Sequence, residues 1–116
     1  MYYGGIDAHK TYLTVVIVDK EGNEVHRDRR VPVGDGDPLM AALERFRPLE
    51  VVVETCPFWP WIYDKLASTE IDFHLAHASE LEAIAHTKTK TDSVDAELLA
   101  RMLATGLIPE AYPKPA

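Results

Sequence analysis

The run Val51-Val52-Val53-Glu54-Thr55 decides how this chain is built. Three consecutive valines lack the alternation of a strand with one wet face, so the strand is buried on both sides, as in a parallel α/β sheet. Downstream, Phe58, Trp61, Ile62, Lys65 and Leu66 give a helix one face, and Pro57 and Pro60 are confined to its start, where missing N–H groups matter least. Ile71 to Ala76 then alternates as a further strand. Upstream, Leu39, Met40, Leu43 and Phe46 recur at helical spacing until Pro48, with Asp37 as the expected N-cap and Pro38 as the first helical residue. Before the break at residues 34–38 come three strands. The first holds Tyr2, Tyr3 and Ile6, and the second is Tyr12 to Val18. The third runs from Glu24 to Val33, with Val25, Val31 and Val33 as its apolar positions.

After the fifth strand, Ser79-Glu80-Leu81-Glu82 matches a capping box and opens a short helix through Ile84 and Ala85. Residues 86–91 contain no apolar side chain and read as an exposed basic loop. A last helix is expected from about Asp92 to Thr105, with Val94, Leu98, Leu99, Met102 and Leu103 on its buried stripe and Gly106 as its stop. The order βββ-α-β-α-β-α-α is that of an α/β, ribonuclease H-like mixed five-stranded sheet with helices on both faces. Residues 1–106 form the expected domain, and the proline-rich 107–116 read as a linker or extended exit strand leading to a further part.

The 116 residues suit one domain, and 47% hydrophobic with 27% charged residues is the balance of a globular protein. Lys and Arg number 12 against 19 Asp and Glu, a net −7 that argues against non-specific binding to nucleic acid. A single cysteine, Cys56, excludes an intrachain disulfide and a Cys-based zinc site. No apolar run is long enough to span a membrane and no signal peptide is visible, so a cytoplasmic location is expected.

Against that background the acids fall in a pattern. In this layout the first and fourth strands are parallel neighbours, and Asp7 ends one while Glu54 ends the other. Asp92 and Asp95, three residues apart, would share one face of the last helix. Each has a plainer reading: Asp7 as a turn residue, Glu54 as a helix cap or an exposed side chain, Asp92 and Asp95 as N-cap and N3 residues. Together they offer four hard oxygen donors, a set suited to Mg²⁺ or Mn²⁺ and to displacement at phosphorus assisted by two ions.

The sequence resembles the N-terminal RuvC-like domain of the DEDD-type transposases, or recombinases, of the insertion sequence 110 family. Gly5-Ile6-Asp7-Ala8-His9-Lys10 is similar to the family's opening motif and Val53-Glu54-Thr55 to its second acidic motif. Lys90-Thr91-Asp92-Ser93-Val94-Asp95-Ala96, with Leu98-Leu99-Ala100, is similar to its most diagnostic signature. The resemblance covers essentially the whole chain and implies that Asp7, Glu54, Asp92 and Asp95 are the catalytic, metal-binding tetrad. It further implies Mg²⁺ or Mn²⁺ as cofactor, as two ions with nucleic acid bound, and DNA cleavage and strand transfer in a prokaryotic cell. A bridge RNA would act as guide, a homo-oligomer would form in the full-length protein, and a C-terminal domain carrying a catalytic serine would complete the activity. Only Ser68, Ser79 and Ser93 are present here, so recombination by these residues alone is not expected. Where the family usually has glycine after Glu-Thr, this chain has Cys56, which bears on the local loop and leaves the acid intact. The expected role of Cys56 is that of a small buried hydrophobe.

Lys10, Lys88 and Lys90 are the expected phosphate contacts, with solvated loop lysines as the plainer reading. Arg27, Arg29 and Arg30 suit an edge protected against aggregation as well as they suit nucleic acid. Phe58, Trp59 and Trp61 read as core or interface, and His9, His77 and His86 have no assigned role. Other classes compete. An actin-like or sugar-kinase-like ATPase half shares the opening strand but wants Gly, Thr or Ser after the aspartate, where Ala8-His9-Lys10 stands. A proofreading exonuclease needs Asp-x-Glu, and position 9 is His. A non-catalytic RNA-binding or dimerisation module is the remaining alternative.

Overall fold

The computed structural model describes residues 1–85 and 95–111, with side chains described outside 82–85. Its strands are β1 (Tyr2–Ala8), β2 (Tyr12–Val18), β3 (Glu24–Pro32), β4 (Leu49–Glu54) and β5 (Asp72–Ala76). Its helices are α1 (Asp37–Leu43), α2 (Trp59–Leu66), α3 (Ala78–Ala85) and α4 (Ala96–Thr105). The sheet order is β3-β2-β1-β4-β5, with the first three strands antiparallel and β1-β4-β5 parallel. The ribonuclease H-like layout expected from the order of elements is therefore the observed one.

The three valines of β4 divide between the two faces, as their unbroken apolarity requires. Val51 and Val53 pack with Ile6, Leu13 and Ile17 under Leu39 and Leu43 of α1 and Ile62 and Leu66 of α2. Val52 packs on the opposite face with Leu99, Met102 and Leu103 of α4 and with Leu81 of α3. Val16 and Val18 complete that face against Ala96 and Ala100. Phe58, Trp59 and Trp61 pack against the first cluster, as expected of core or interface aromatics.

Helix α4 rests directly on the backbone of β1. A Cβ at Gly5 would lie 2.1 Å from the Ala96 carbonyl oxygen and 2.7 Å from the Ala100 nitrogen, so only glycine permits this approach. Small residues on both sides, Gly5 below and Ala96 and Ala100 above, bring the start of α4 down to the end of the central strand.

Several local expectations are corrected. The N-cap of α1 is Gly36, in the left-handed region at φ 97°, and Asp37 is already helical. Asp35 takes the turn role instead, its Oδ1 accepting the Asp37 N–H at 3.0 Å. That helix ends at Leu43, short of Phe46. Ser79 lies inside α3, which begins at Ala78, where the Ala78 N–H donates to Thr55 Oγ1 at 3.0 Å. A tertiary hydroxyl thus meets the first N–H of α3, and the Glu82 side chain of the expected capping box lies outside the described residues. Val25 is 44% exposed. A register shift between Ile17 and Val18 leaves Val25 as the extra residue of β3, and the bulge turns its side chain away from the core.

The two sheet edges differ. Beyond β5, Glu110 forms an antiparallel bridge with Ala76, the His77 N–H donates to Pro109 O at 3.0 Å and the Ala111 N–H to Leu75 O at 2.6 Å. His74 fixes this segment further, with Nδ1 2.9 Å from Glu110 Oε1 and Nε2 2.9 Å from Glu50 Oε1. Residues 109–111 thus lie along β5 in the manner of an exit strand. Among the described residues, no strand covers the outer edge of β3.

Candidate active site

Asp7 is the penultimate residue of β1 and pairs in register with Thr14 of β2. On its other side β1 runs parallel to β4 with Gly5 beside Val52 and Ile6 beside Val53, so the next step of the same register sets Asp7 beside Glu54. Side chains two apart on a strand share a face. Gly5 and Val52 both face α4, and so therefore do Asp7 and Glu54. Adjacent strands are separated by about 4.8 Å, which brings the two carboxylates into one neighbourhood at the carboxyl ends of the central strands.

Asp95 reaches the same neighbourhood from α4. It is the N-cap of that helix, at φ −79° and ψ 171°, and its side chain accepts the Leu98 N–H at 2.9 Å. The expectation that the helix begins at Asp92 and carries both aspartates on one helical face is thereby corrected for Asp95, which is extended and precedes the first helical residue. Cap chemistry decides this: an Asp side chain satisfies an orphan N–H best from just outside the helix. Asp92, Lys88 and Lys90 lie outside the described residues.

Burial pushes the Asp7 carboxyl above its usual range, the His9 ring opposes that shift, and the Asp95 carboxylate adds to it. The Asp7 side chain is 18% exposed, and its nearest counter-group among the described residues is His9, with Nε2 3.4 Å from Oδ2. A half-buried carboxylate held near a second one is unfavourable in isolation and is relieved by a cation. The donors are all hard oxygens, which fits Mg²⁺ or Mn²⁺. Among the described residues, no group of three or more His, Cys, Asp or Glu is gathered tightly enough to hold a metal by itself.

The turn from β1 to β2 carries a residue that had no role in the sequence reading. His9 stacks on Tyr12 with ring centroids 4.4 Å apart, and its Nε2 lies 3.4 Å from Thr14 Oγ1. Its position two residues after a strand-end acid is the signal that could have found it. A cavity of about 360 Å³ opens beside this turn, lined by Ala8, His9, Lys10, Cys56, Pro57 and Phe58. Lys10 is exposed at it. Cys56 is only partly buried, so the fully buried role expected of it is corrected. Thr55 holds the β4–α2 loop in place, its N–H donating to Ala76 O at 2.8 Å and its hydroxyl oxygen accepting from Ala78.

The three arginines of β3 separate into different roles. Arg27 donates to Glu24 at 2.6 Å and to Glu97 of α4 at 2.7 Å, and these hydrogen bonds hold its guanidinium firmly protonated. It ties β3 to the first turn of α4. The Arg30 guanidinium instead lies over the Tyr12 ring, 4.2 Å from its centroid.

A strand-end aspartate beside a strand-end glutamate, with a helix-capping aspartate brought down by a glycine, is the arrangement on which the family comparison bears. The sequence model of the DEDD transposases of the IS110 group matches residues 4–114. The chain belongs to that family. As a RuvC-like catalytic domain of an IS110 transposase, it is of the nuclease type. Its fold is similar to that of RuvC from Thermus thermophilus, with a TM-score of 0.62 at 16% identity over 96% of this chain and 100% of that one. No curated protein matches the chain. Among the described residues of this IS110-family domain, no helix is long and apolar enough to cross a membrane.

Proposed function

We propose that Asp7, Glu54, Asp92 and Asp95 are the catalytic tetrad of this domain and hold Mg²⁺ or Mn²⁺ for cleavage and transfer of DNA strands. What supports the reading is the parallel register that ends β1 and β4 at Asp7 and Glu54, together with the Asp95 carboxylate, which with burial raises the affinity of Asp7 for a proton. A divalent ion bound there supplies Lewis-acid activation and charge neutralisation at a phosphodiester. The residues of the chain do the rest. Asp7 and Glu54 present fixed oxygens from rigid strands, Asp95 is oriented by its own cap hydrogen bond, and Lys10 offers a charge to the incoming phosphate from the adjoining turn. Lys88 and Lys90 are assigned the same phosphate-binding task. Their sequence position just before Asp92 supports it.

The family membership supports DNA as the substrate. Guidance by a bridge RNA, assembly as a homo-oligomer and completion by a serine-bearing C-terminal domain are proposed on the family resemblance. Residues 1–106 are the proposed catalytic unit, with residues 107–116 leading from it. The test is calorimetric titration of Mn²⁺ into the domain and into Asp7→Ala and Asp95→Ala. Loss of the binding isotherm in both variants is expected, and binding unchanged from the parent would remove the site.

A further inference from the structure

We propose a second element of the DNA site, a phosphate-binding shelf formed by Arg30 on the Tyr12 ring, which receives the DNA strand as it leaves the acidic centre toward the β3 edge. The inference rests on the reading of Asp7 as part of a metal-dependent DNA-cleaving site and extends that site in a defined direction.

The faces of the sheet supply the first part of the argument. Leu13, Val15 and Ile17 point into the core beneath α1 and α2, so Tyr12 and Thr14 lie on the α4 face, the same one as Asp7. Helix α4 covers Gly5, Val16 and Val18 on that face but starts only at Ala96, so the helix itself does not extend over the strand ends beyond its first turn. The contacts then form an unbroken path across this end of the sheet. Asp7 touches His9, His9 stacks on Tyr12, and Tyr12 carries Arg30. No further strand lies outside β3 among the described residues, so nothing described there closes the path at the sheet edge.

Charge supplies the second part. Arg27 is committed to Glu24 and Glu97, whereas among the described residues Arg30 enters no ion pair and is exposed. Asp28, its close neighbour in sequence, stands opposite Val15 in the register and so faces the other side of the sheet. A guanidinium held over an aromatic face keeps N–H groups available for an anion and loses little freedom when it binds one. A phosphodiester is the anion that a planar fork matches, and a strand displaced from a cleavage centre presents one at each nucleotide. In a domain of net charge −7, an unpaired cation held by a ring is placed for a ligand that the rest of the surface repels.

The test measures binding of a fluorescein-labelled DNA single strand to the 116-residue chain by anisotropy over a salt series, without divalent metal. Arg30→Gln is expected to weaken binding several-fold and to lower the slope of log K against log salt by about 1. Tyr12→Leu should weaken binding in the same direction by freeing the guanidinium. Arg47→Gln, at the opposite end of the sheet, should match the parent. Equal affinity and slope in Arg30→Gln and parent, an equal loss in Arg47→Gln, no binding of DNA by the parent, or binding of an RNA strand in place of DNA would each overturn the shelf. Mn²⁺ calorimetry on the same Arg30→Gln protein keeps the two readings apart. Metal binding retained with DNA binding unchanged removes only the shelf, and metal binding absent from the parent removes the acidic site.

Discussion

Two sets of acidic side chains flank the first turn of α4, and their surroundings differ. Toward β3, Glu97 shares Arg27 with Glu24 and also meets Arg101 at 3.0 Å, so two carboxylates are balanced by two guanidinium groups. Toward β1, Asp95 raises the affinity of Asp7 for its proton, and the nearest opposing group is a histidine at 3.4 Å. Glu50 and Glu110 both close on His74, each at 2.9 Å. In these clusters each acid that ties two elements together has a nitrogen-bearing side chain beside it. Between Asp7 and Asp95, among the described residues, no lysine or arginine enters an ion pair, a surrounding that a bound cation would complement.

That contrast can be broken at several points. The largest effect is expected from Asp7→Ala, which should reduce metal-dependent strand cleavage by the complete recombinase to background while the circular dichroism of the domain is unchanged. Residual cleavage near the parent rate would mean that Asp7 is a turn residue after all. Next, Gly5→Ala forces a methyl group into the Ala96 carbonyl and should cost about 3 kcal/mol in urea denaturation, with metal affinity falling as α4 and Asp95 are displaced. A neutral result there would remove the glycine as the element that brings Asp95 to Asp7. Arg27→Gln breaks a balanced but largely exposed cluster and should cost only about 0.5–1 kcal/mol. Thermal melts would expose a larger role for the Arg27 tie if the loss were greater.

The smallest effect carries the sign that separates the two sets. Because the folded state raises the proton affinity of Asp7, the unfolded chain holds fewer protons between the two pKa values. The stabilisation from the bound proton is complete below the ordinary aspartate range and is lost as pH rises through the elevated folded value. Without divalent metal, Asp7→Asn should therefore melt above the parent at neutral pH, with the gap closing as pH falls into the acid range. Paired melts across that interval check it, and a variant melting below the parent at neutral pH would show that the Asp7 charge is already compensated.

Much of this was legible in the residues. Consecutive valines in β4 required burial on two faces, and the spacing of turn and cap residues ordered the elements, because both signals are local and repeat with the period of the backbone. The strand-end positions of Asp7 and Glu54 followed from that order. Caps were less legible: Asp35, Asp37, Ser79, Asp92 and Asp95 all carry side chains able to cap, and the packing around them selects which one does. Val25 has the apolar character of a core residue, yet the bulge that exposes it depends on pairing with β2. Nor could composition divide the three arginines of β3, since Arg27 and Arg30 differ only in what the fold sets beside them, Glu97 for one and Tyr12 for the other.

The sequence by itself determined the class of sheet, the family and the order in which its acids occur, since these depend on periodicity and motif. Tertiary structure alone decided that a helix 90 residues downstream is let onto β1 by Gly5, that Asp95 precedes that helix, and that its charge falls on Asp7. The physical reason is range. Hydrophobic period and capping act over a few residues, whereas steric clearance and electrostatic coupling between distant segments exist only once the chain has closed on itself.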